Sequence, residues 1–416
     1  MEKKKEKLVP RLRFPGFSGE WEKKPLHEIG KKITEKNKDN LVVNVLTNSA
    51  QYGLIRQNDF FDKDIANQEN TNKYYVIKYG DFVYNPRKSV TAPYGPIRIN
   101  TNKEDGIVSP LYICFRINSP ETDNQYLARY FESSSWYEYI KVNGNIGARN
   151  DRVSITDKVL MNMPISIPSL PEQEKIADFF SALDAKIDLK KKEIEDVKSM
   201  KKGFLQKMFP QDRESVPRLR FPEFSGKWEK KKLGEIAPLR GGFAFKSDKY
   251  TKSGIPIIRI SNILSNGLIG NNFVYYKPQK NDKNYCLTNG DIVIAMSGAT
   301  TGKIAVLKYP DKIKYYQNQR VGMFTKKNNN IIYTFIKVII ESNKFAEQLN
   351  TVLTAGAQPN ISPKEINNFE FSIPSLPEQE KIADFFSTLD AKINAMEKQL
   401  EDLKEMKKGF LQQMFI

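Results

Sequence analysis

Two stretches in the second half of the chain carry residue types that act on phosphates and on base edges. Ser297-Gly298-Ala299-Thr300-Thr301-Gly302-Lys303 has the glycines, hydroxyls and lysine of a nucleotide phosphate loop. It has one residue too few between its glycines, and Ile304 stands where Ser or Thr would bind magnesium, which argues against that chemistry. A Gly-rich turn offering backbone N–H groups and hydroxyls to a nucleic-acid phosphate is the functional reading, and a plain turn between two strands is the alternative. Gln317-Asn318-Gln319-Arg320 gathers amides and a guanidinium, the groups that pair bidentately with adenine and guanine in the major groove. The same run on a solvated strand edge would be inert. Arg240 and Lys246 flank Gly241-Gly242-Phe243 as basic and aromatic neighbours suited to a nucleic-acid backbone, while Gln358 and Asn360, either side of Pro359, suit a structural or backbone-contacting turn.

The first half offers a comparable set. Asn85-Pro86-Arg87-Lys88 invites comparison with the Asn/Asp-Pro-Pro-aromatic motif of amino-methyltransferases, but it lacks the second proline and the aromatic residue. No Gly-rich strand-turn of the S-adenosylmethionine type precedes it, so catalysis there is not expected. Arg87, Lys88, Tyr94 and Arg98, near Gly95, offer charge and an aromatic ring for phosphate contact or base readout, and Asn145, Arg149, Asn150 and Arg152 form a second cluster. Scattered surface charge would look similar.

Composition narrows the field. Lys plus Arg number 66 against 49 Asp plus Glu, a formal net charge of +17, which favours a polyanionic partner. Cys114 and Cys286 are the only cysteines and His27 the only histidine, leaving no disulfide framework and no Cys/His metal cluster. No metal site or cofactor is therefore expected in this chain. The longest apolar stretch, around Phe335 to Ile340, falls far short of the roughly 20 residues of a spanning helix. Met1 to Pro10 is a Lys/Glu run without an apolar h-region, so the expectation is a cytoplasmic protein without a membrane partner.

These residues must be positioned by something, and the chain is written twice. Val9 to Ile29 reads VPRLRFPGFSGEWEKKPLHEI, and Val216 to Ile236 reads VPRLRFPEFSGKWEKKKLGEI. Ile167 to Ile187 reads IPSLPEQEKIADFFSALDAKI, and Ile373 to Ile393 repeats it with a single Ala-to-Thr change. Between the blocks lie two divergent modules. Asn48 to Ile55 parallels Asn262 to Ile269, and Gly80, Asp81 and Val83 parallel Gly290, Asp291 and Val293. Short β-branched segments such as Ile107 to Ile117 and Ile292 to Ile294, followed by helix candidates at Gln125 to Val142 and Ile331 to Leu349, make each module mixed α and β. Trp21 and Trp228, present in both copies, read as core anchors of the opening block, packed against the far end of the opposite helix; His27 reads as a lone surface histidine.

The second block opens a long helix, with Pro171 or Pro377 in the first turn and Glu172 or Glu378 at the positive end of the dipole. One heptad position holds Phe180, Ile187, Ile194, Lys201 and Met208, and the other Ile176, Leu183, Lys190, Val197 and Phe204. The later copy gives Phe386, Ile393, Leu400, Lys407 and Met414, with Ile382, Leu389, Met396, Leu403 and Phe410. This is a coiled-coil seam of about five heptads interrupted by lysines. Each helix of about 36 residues would be roughly 54 Å long. Two matching seams are mutually complementary, and connectivity makes them antiparallel; separate helices packed on their own modules are the alternative. The runs Lys190 to Lys192 and Lys201-Lys202 read as solvated helix faces.

The LRFPGFSGEW and LRFPEFSGKW openings, the paired IPSLPEQEKIADFFS blocks and the Ala357-Gln358-Pro359-Asn360-Ile361-Ser362 turn resemble the specificity subunit of a Type I restriction-modification system, over the whole length. The resemblance implies an α+β protein, with two mixed α/β target-recognition domains joined by two long helices in an antiparallel coiled coil, as a pseudo-twofold tandem repeat. Its segments would be an opening block (1–30), a first recognition domain (31–166), a spacer helix (167–209), a linker with the repeated opening block (210–237), a second recognition domain (238–372) and a second spacer helix (373–416). It further implies a non-catalytic, DNA-binding subunit, each domain reading one half of a bipartite double-stranded site. Two methyltransferase subunits and restriction subunits would be partners, and S-adenosylmethionine, ATP and magnesium would belong to them. A structural adaptor for RNA or proteins, or a module with its own methyltransferase or nuclease activity, are the competing readings.

Overall fold

A computed structural model describes residues 7–57, 68–145, 151–211, 214–309, 313–327, 329–355 and 360–416. The first module carries β1 (Glu22–Pro25), β2 (Gly30–Lys32), β3 (Leu46–Ser49), β4 (Gly53–Arg56), β5 (Tyr75–Ile77), β6 (Phe82–Tyr84), β7 (Ile97–Ile99), β8 (Gly106–Val108) and β9 (Ile113–Ile117). Helices α1 (Asn124–Glu132) and α2 (Tyr137–Asn143) follow, then β10 (Pro164–Ile167) and the long helix α3 (Leu170–Lys207). The second module repeats the plan with β11 (Glu229–Lys232), β12 (Leu239–Gly241), β13 (Ile255–Ile258), β14 (Val274–Tyr276), β15 (Cys286–Leu287), β16 (Ile292–Ala295), β17 (Ile304–Val306), β18 (Tyr315–Gln317) and β19 (Val321–Phe324). It closes with α4 (Tyr333–Glu341), α5 (Asn343–Ala355), β20 (Glu370–Ile373) and the second long helix α6 (Leu376–Gln413).

The frame common to both modules is a four-stranded antiparallel sheet, ordered β2-β9-β6-β7 in the first and β12-β19-β16-β17 in the second. An aspartate, buried in the first module and half-buried in the second, steadies the strand that leads to each central loop. Asp81 accepts two hydrogen bonds from Arg116 and one from the Lys78 N–H, whereas Asp291 accepts from the Thr288 N–H and hydroxyl. Gly80 and Gly290, just ahead of them, hold φ of 85° and 89°, a turn conformation that a side chain would strain. Beyond this frame the modules diverge: the first has separate β3-β4 and β5-β8 pairs, the second a four-stranded sheet ordered β14-β13-β18-β15.

Two expectations are corrected. The single helix expected before each long helix is broken in both copies, at Ser133 and at Ser342. Each serine hydroxyl donates to the carbonyl three residues back, Tyr130 or Ile339, and the backbone turns extended there. The segment Ile107 to Ile117 is two strands, because Tyr112 N–H closes a turn onto the Ser109 carbonyl.

The chain forms two compact units, residues 1–191 with 398–416, and residues 192–397. Each is one module together with a part of both long helices, and within each the helices run antiparallel. In the first unit Phe179 meets Phe410 at 5.0 Å and Phe180 meets Phe415 at 6.0 Å between ring centres. In the second, Phe204 meets Phe385 at 5.1 Å. Seam residues Ile176, Phe180, Leu183, Ile187, Ile194, Val197, Ile382, Phe386 and Ile393 are buried, and Phe204, Leu389, Met396, Leu400, Leu403 and Phe410 are half-buried.

The seam lysines Lys201 and Lys407 are not solvated interruptions. Lys201 bonds Asp390 of α6 at 2.7 Å and Glu341 of α4 at 2.6 Å, with Lys337 also paired to Asp390. Its counterpart Lys407 bonds Asp184 of α3 at 2.7 Å and Glu132 of α1 at 2.9 Å, with Arg129 completing the cluster. A charge inside each seam thus ties both long helices to a module helix.

The repeated blocks make the joints. Glu172 and Glu378, each 1% exposed, take two hydrogen bonds from Arg13 and Arg220 of the opening blocks. The neighbouring Gln173 and Gln379 are buried and clamp the backbone ahead of α1 and α4. Each opening block also donates one N–H to the C-terminal end of a long helix, Leu12 to the Gln413 carbonyl and Leu219 to the Lys207 carbonyl. Trp21 packs edge-on to Tyr126 in a core that includes Met414 and Phe415, and Trp228 packs edge-on to Phe209.

Candidate nucleic-acid interface

The sequence clusters converge on one end of each sheet. In the first module the β6–β7 connector carries Arg87 and Lys88. It is pinned by backbone bonds from Lys88 N–H to the Asp151 carbonyl (2.8 Å) and from Val153 N–H to the Pro86 carbonyl (2.9 Å). Arg87 therefore stands opposite Arg152 across an antiparallel bridge, and Asn145 opposite Ser154. Gly95 lets the connector return: its φ is 81°, and a Cβ there would lie 2.1 Å from the Asn85 carbonyl oxygen. Together with the β3–β4 turn these segments enclose a cleft of about 400 Å³. Arg87, Lys88 and Arg152 line it with the amides of Asn48, Gln51 and Asn85, and none of its lining residues is acidic among the described residues. Arg152 lies 3.9 Å from the Asp151 carboxylate. Asn48 donates from Nδ2 to the Val83 and Pro96 carbonyls, while its buried Oδ1 has no donor among the described residues.

The second module repeats this arrangement on the β16–β17 connector. Ser297 bridges Asn360, Ile361 N–H donates to the Met296 carbonyl, and Met296 N–H donates to the Arg320 carbonyl. The connector, the turn after β18 and the segment ahead of α6 thus meet, as their counterparts do in the first module. Exposed here are Gln319, Arg320, Asn360 and, on the adjoining loop, Lys246; Asn318 is half-buried.

Several candidates are spoken for. Gln317 fits neither reading made from sequence, since it is fully buried; its amide donates to the Arg240 and Val321 carbonyls and its Oε1 accepts from Arg240. Arg240 also donates to the Cys286 carbonyl at 2.7 Å, and burial pulls its guanidinium below the ordinary value. Both hold the β12 edge to the second sheet and are not free to meet bases. Ser297 is buried and accepts from Arg320, and Thr300 Oγ1 is buried. The backbone N–H groups of Thr301 and Lys303 donate within the connector and that of Gly302 to Ala295 at the end of β16, so this stretch is a closed turn and offers no amide cradle from those three residues. Tyr94 packs against Tyr137 at 5.2 Å, and Arg98 donates to the Ala50 carbonyl at 2.9 Å. Arg149, Asn150 and Gln358 lie outside the described residues. His27 is exposed, with Nδ1 at 3.2 Å from the Met161 carbonyl.

Sequence reasoning missed Asn48 and Gln51, whose positions depend on the β3–β4 hairpin folding onto β6. The only signal was the parallel between Asn48 to Ile55 and Asn262 to Ile269. Asn262, like Asn48, is buried and uses its amide to hold backbone carbonyls, those of Gly270 and Asn272.

A duplicated α+β module, seated on antiparallel helix pairs and gathering cations and amides at one loop end, defines a tandem sequence-recognition protein. The chain belongs to the family described as the Type I restriction modification DNA specificity domain, which it matches twice, over residues 18–199 and 225–405. It is 30% identical over 268 residues to the Type I restriction enzyme MjaVIII specificity subunit of Methanocaldococcus jannaschii, covering 62% of each chain. It is 24% identical to the putative MjaX specificity subunit of the same organism, over 83% of this chain and 79% of that one. In fold it is similar to the crystal structure of the Type-I restriction-modification system S subunit from M. genitalium. That similarity has a TM-score of 0.56 and 17% identity, and covers 98% of this chain and 99% of that chain.

Proposed function

We propose that this chain is the DNA-reading subunit of a Type I restriction-modification complex and carries no catalysis of its own. Each recognition domain, residues 31–166 and 238–372, reads one half of a bipartite double-stranded site, and the spacer helices, 167–209 and 373–416, fix the separation of the halves. Two methyltransferase subunits dock on the chain and restriction subunits join them; S-adenosylmethionine, ATP and magnesium belong to those partners, and the assembly works in the cytoplasm. Linking two half-site readers makes binding of the second half effectively intramolecular, which raises affinity without any added interface.

One observation carries the reading. Both modules gather cations and amides at the same loop end of the same sheet, exposed Arg87 with half-buried Lys88 and Arg152 in one and exposed Gln319, Arg320 and Asn360 in the other, while the joints around them repeat. Cations suit phosphates, and amides and guanidinium groups suit base edges. Replacing residues 238–372 by the equivalent region of a related chain and mapping methylated adenines genome-wide tests it. One half of the methylated site should change and the other stay. An unchanged site, or a continuous one, would refute it.

A further inference from the structure

The tip of the β6–β7 connector carries a fully exposed valine, where a solvated turn would normally be polar. Ser89 and Ala92 exchange backbone hydrogen bonds, N–H to carbonyl, at 3.0 and 3.3 Å, closing a two-residue turn with Val90 and Thr91 at its tip. Turn tips favour Gly, Asn and Asp, and a β-branched residue gains nothing there from local geometry. Thr91 turns its hydroxyl to the Ser89 hydroxyl at 3.4 Å. Val90 is 102% exposed, the highest value among the exposed large hydrophobic residues that are described. Behind it the stem carries Arg87 and Lys88, and Arg152 stands on the segment pinned beside them.

We propose that Val90 is a specificity-determining residue that packs against the C5-methyl group of a pyrimidine in the major groove. The inference rests on the DNA-reading function above. A basic stem brings the tip to a phosphate-lined groove. The minor groove presents no methyl group, so an apolar tip has a specific partner only in the major groove. Insertion between stacked bases is the work of longer side chains such as Phe, Leu, Ile and Met, and valine is too short for it. Packing on a base methyl is what short apolar groups do. Thymine carries this methyl, and so does 5-methylcytosine.

The test uses the full chain with duplexes selected from random sequence, to define the half-site of the first module. Each thymine in that half-site is then replaced singly by deoxyuridine, and each cytosine by 5-methylcytosine, against wild type and Val90→Ser, which removes both γ-methyl groups from a fully exposed side chain. With thymine as partner, one dT-to-dU change should weaken wild-type binding about three- to fivefold, the effect of one methyl group, and should cost Val90→Ser nothing further. With methylcytosine as partner, one substitution should tighten wild type by a similar factor and leave Val90→Ser unaffected. Absence of coupling between Val90 and every C5 position would overturn the proposal while sequence-specific binding stood. A wild-type chain that selects no sequence would overturn the function on which it rests as well.

Discussion

Lys201→Met probes whether the seam lysine specifies the joint between helices and module. Four charges meet in the second unit, Lys201 and Lys337 against Glu341 and Asp390, with side-chain exposures of 14%, 28%, 28% and 21%. The substitution leaves one cation between two carboxylates. An exposed pair is worth up to about 1 kcal/mol, and breaking a fully buried one costs about 3–5 kcal/mol; this cluster lies between, so we expect a loss of about 2 kcal/mol. Removing Asp390 as well restores charge balance and leaves two apolar groups facing each other in the seam, so Lys201→Met with Asp390→Leu should recover most of the loss. Native-state hydrogen exchange of the α6 amides around Asp390 reads both: opening should rise roughly 30-fold in the single variant and far less in the double one. Acid adds a second reading. Burial alone would raise the Asp390 carboxyl, but hydrogen bonds from Lys201 and Lys337 hold it below its ordinary value. A lowered folded value means stability present above the ordinary carboxylate range and lost as pH falls through the lowered value. Wild type should therefore lose more protection in acid than the double variant. A single variant as well protected as wild type, or a double variant as poorly protected as the sum of its parts, would refute the coupling.

Arg220→Met strips both hydrogen bonds from Glu378, which is 1% exposed, and should destabilise the second unit by about 3 kcal/mol, read by chemical denaturation. Gly95→Ala sets a Cβ 2.1 Å from the Asn85 carbonyl oxygen and must displace the connector; the first half of the recognised site should disappear and the second remain in a methylation map. Arg87→Ala with Lys88→Ala should weaken binding to all sequences alike and flatten the dependence of log K on log salt by about 0.9 for each phosphate no longer neutralised. Gln319→Ala or Arg320→Ala should instead relax discrimination at single positions of the second half-site, by about 1–3 kcal/mol for each bidentate pair removed, measured by competition binding.

The long helices were legible because a heptad pattern needs only local spacing, and the duplication supplied it twice. The partners of Lys201 and Lys407 were not, since Glu341 and Glu132 reach them from module helices through tertiary folding. Gln317 shows the same limit. In sequence it is one of three amides in a row, and only its place at the end of β18, under Arg240, turns it into a structural group. The split of each expected helix at Ser133 and Ser342 was within reach, because serine in a helix interior offers the backbone a competing hydrogen bond. The cleft of the first module was out of reach: it needs four chain segments to meet, and spacing along one of them says nothing of the other three.

The division between repeated and divergent residues has a mechanical cause. Residues repeated in both copies, such as Arg13 and Arg220, Glu172 and Glu378, Gln173 and Gln379, hold their partners by side-chain chemistry, so changing one leaves a buried charge or amide unpaired. The recognition connectors are pinned differently. Lys88, Val153, Met296 and Ile361 hold them through backbone N–H groups, and most residue types supply the same donor. Side chains at Arg87, Val90 and Gln319 can therefore change without dismantling the loop that presents them, whereas Arg320 also donates to the buried Ser297 hydroxyl. A frame fixed by side chains, with recognition loops fixed by backbone, lets a duplicated chain alter what each module reads while both modules keep their seats on the helices.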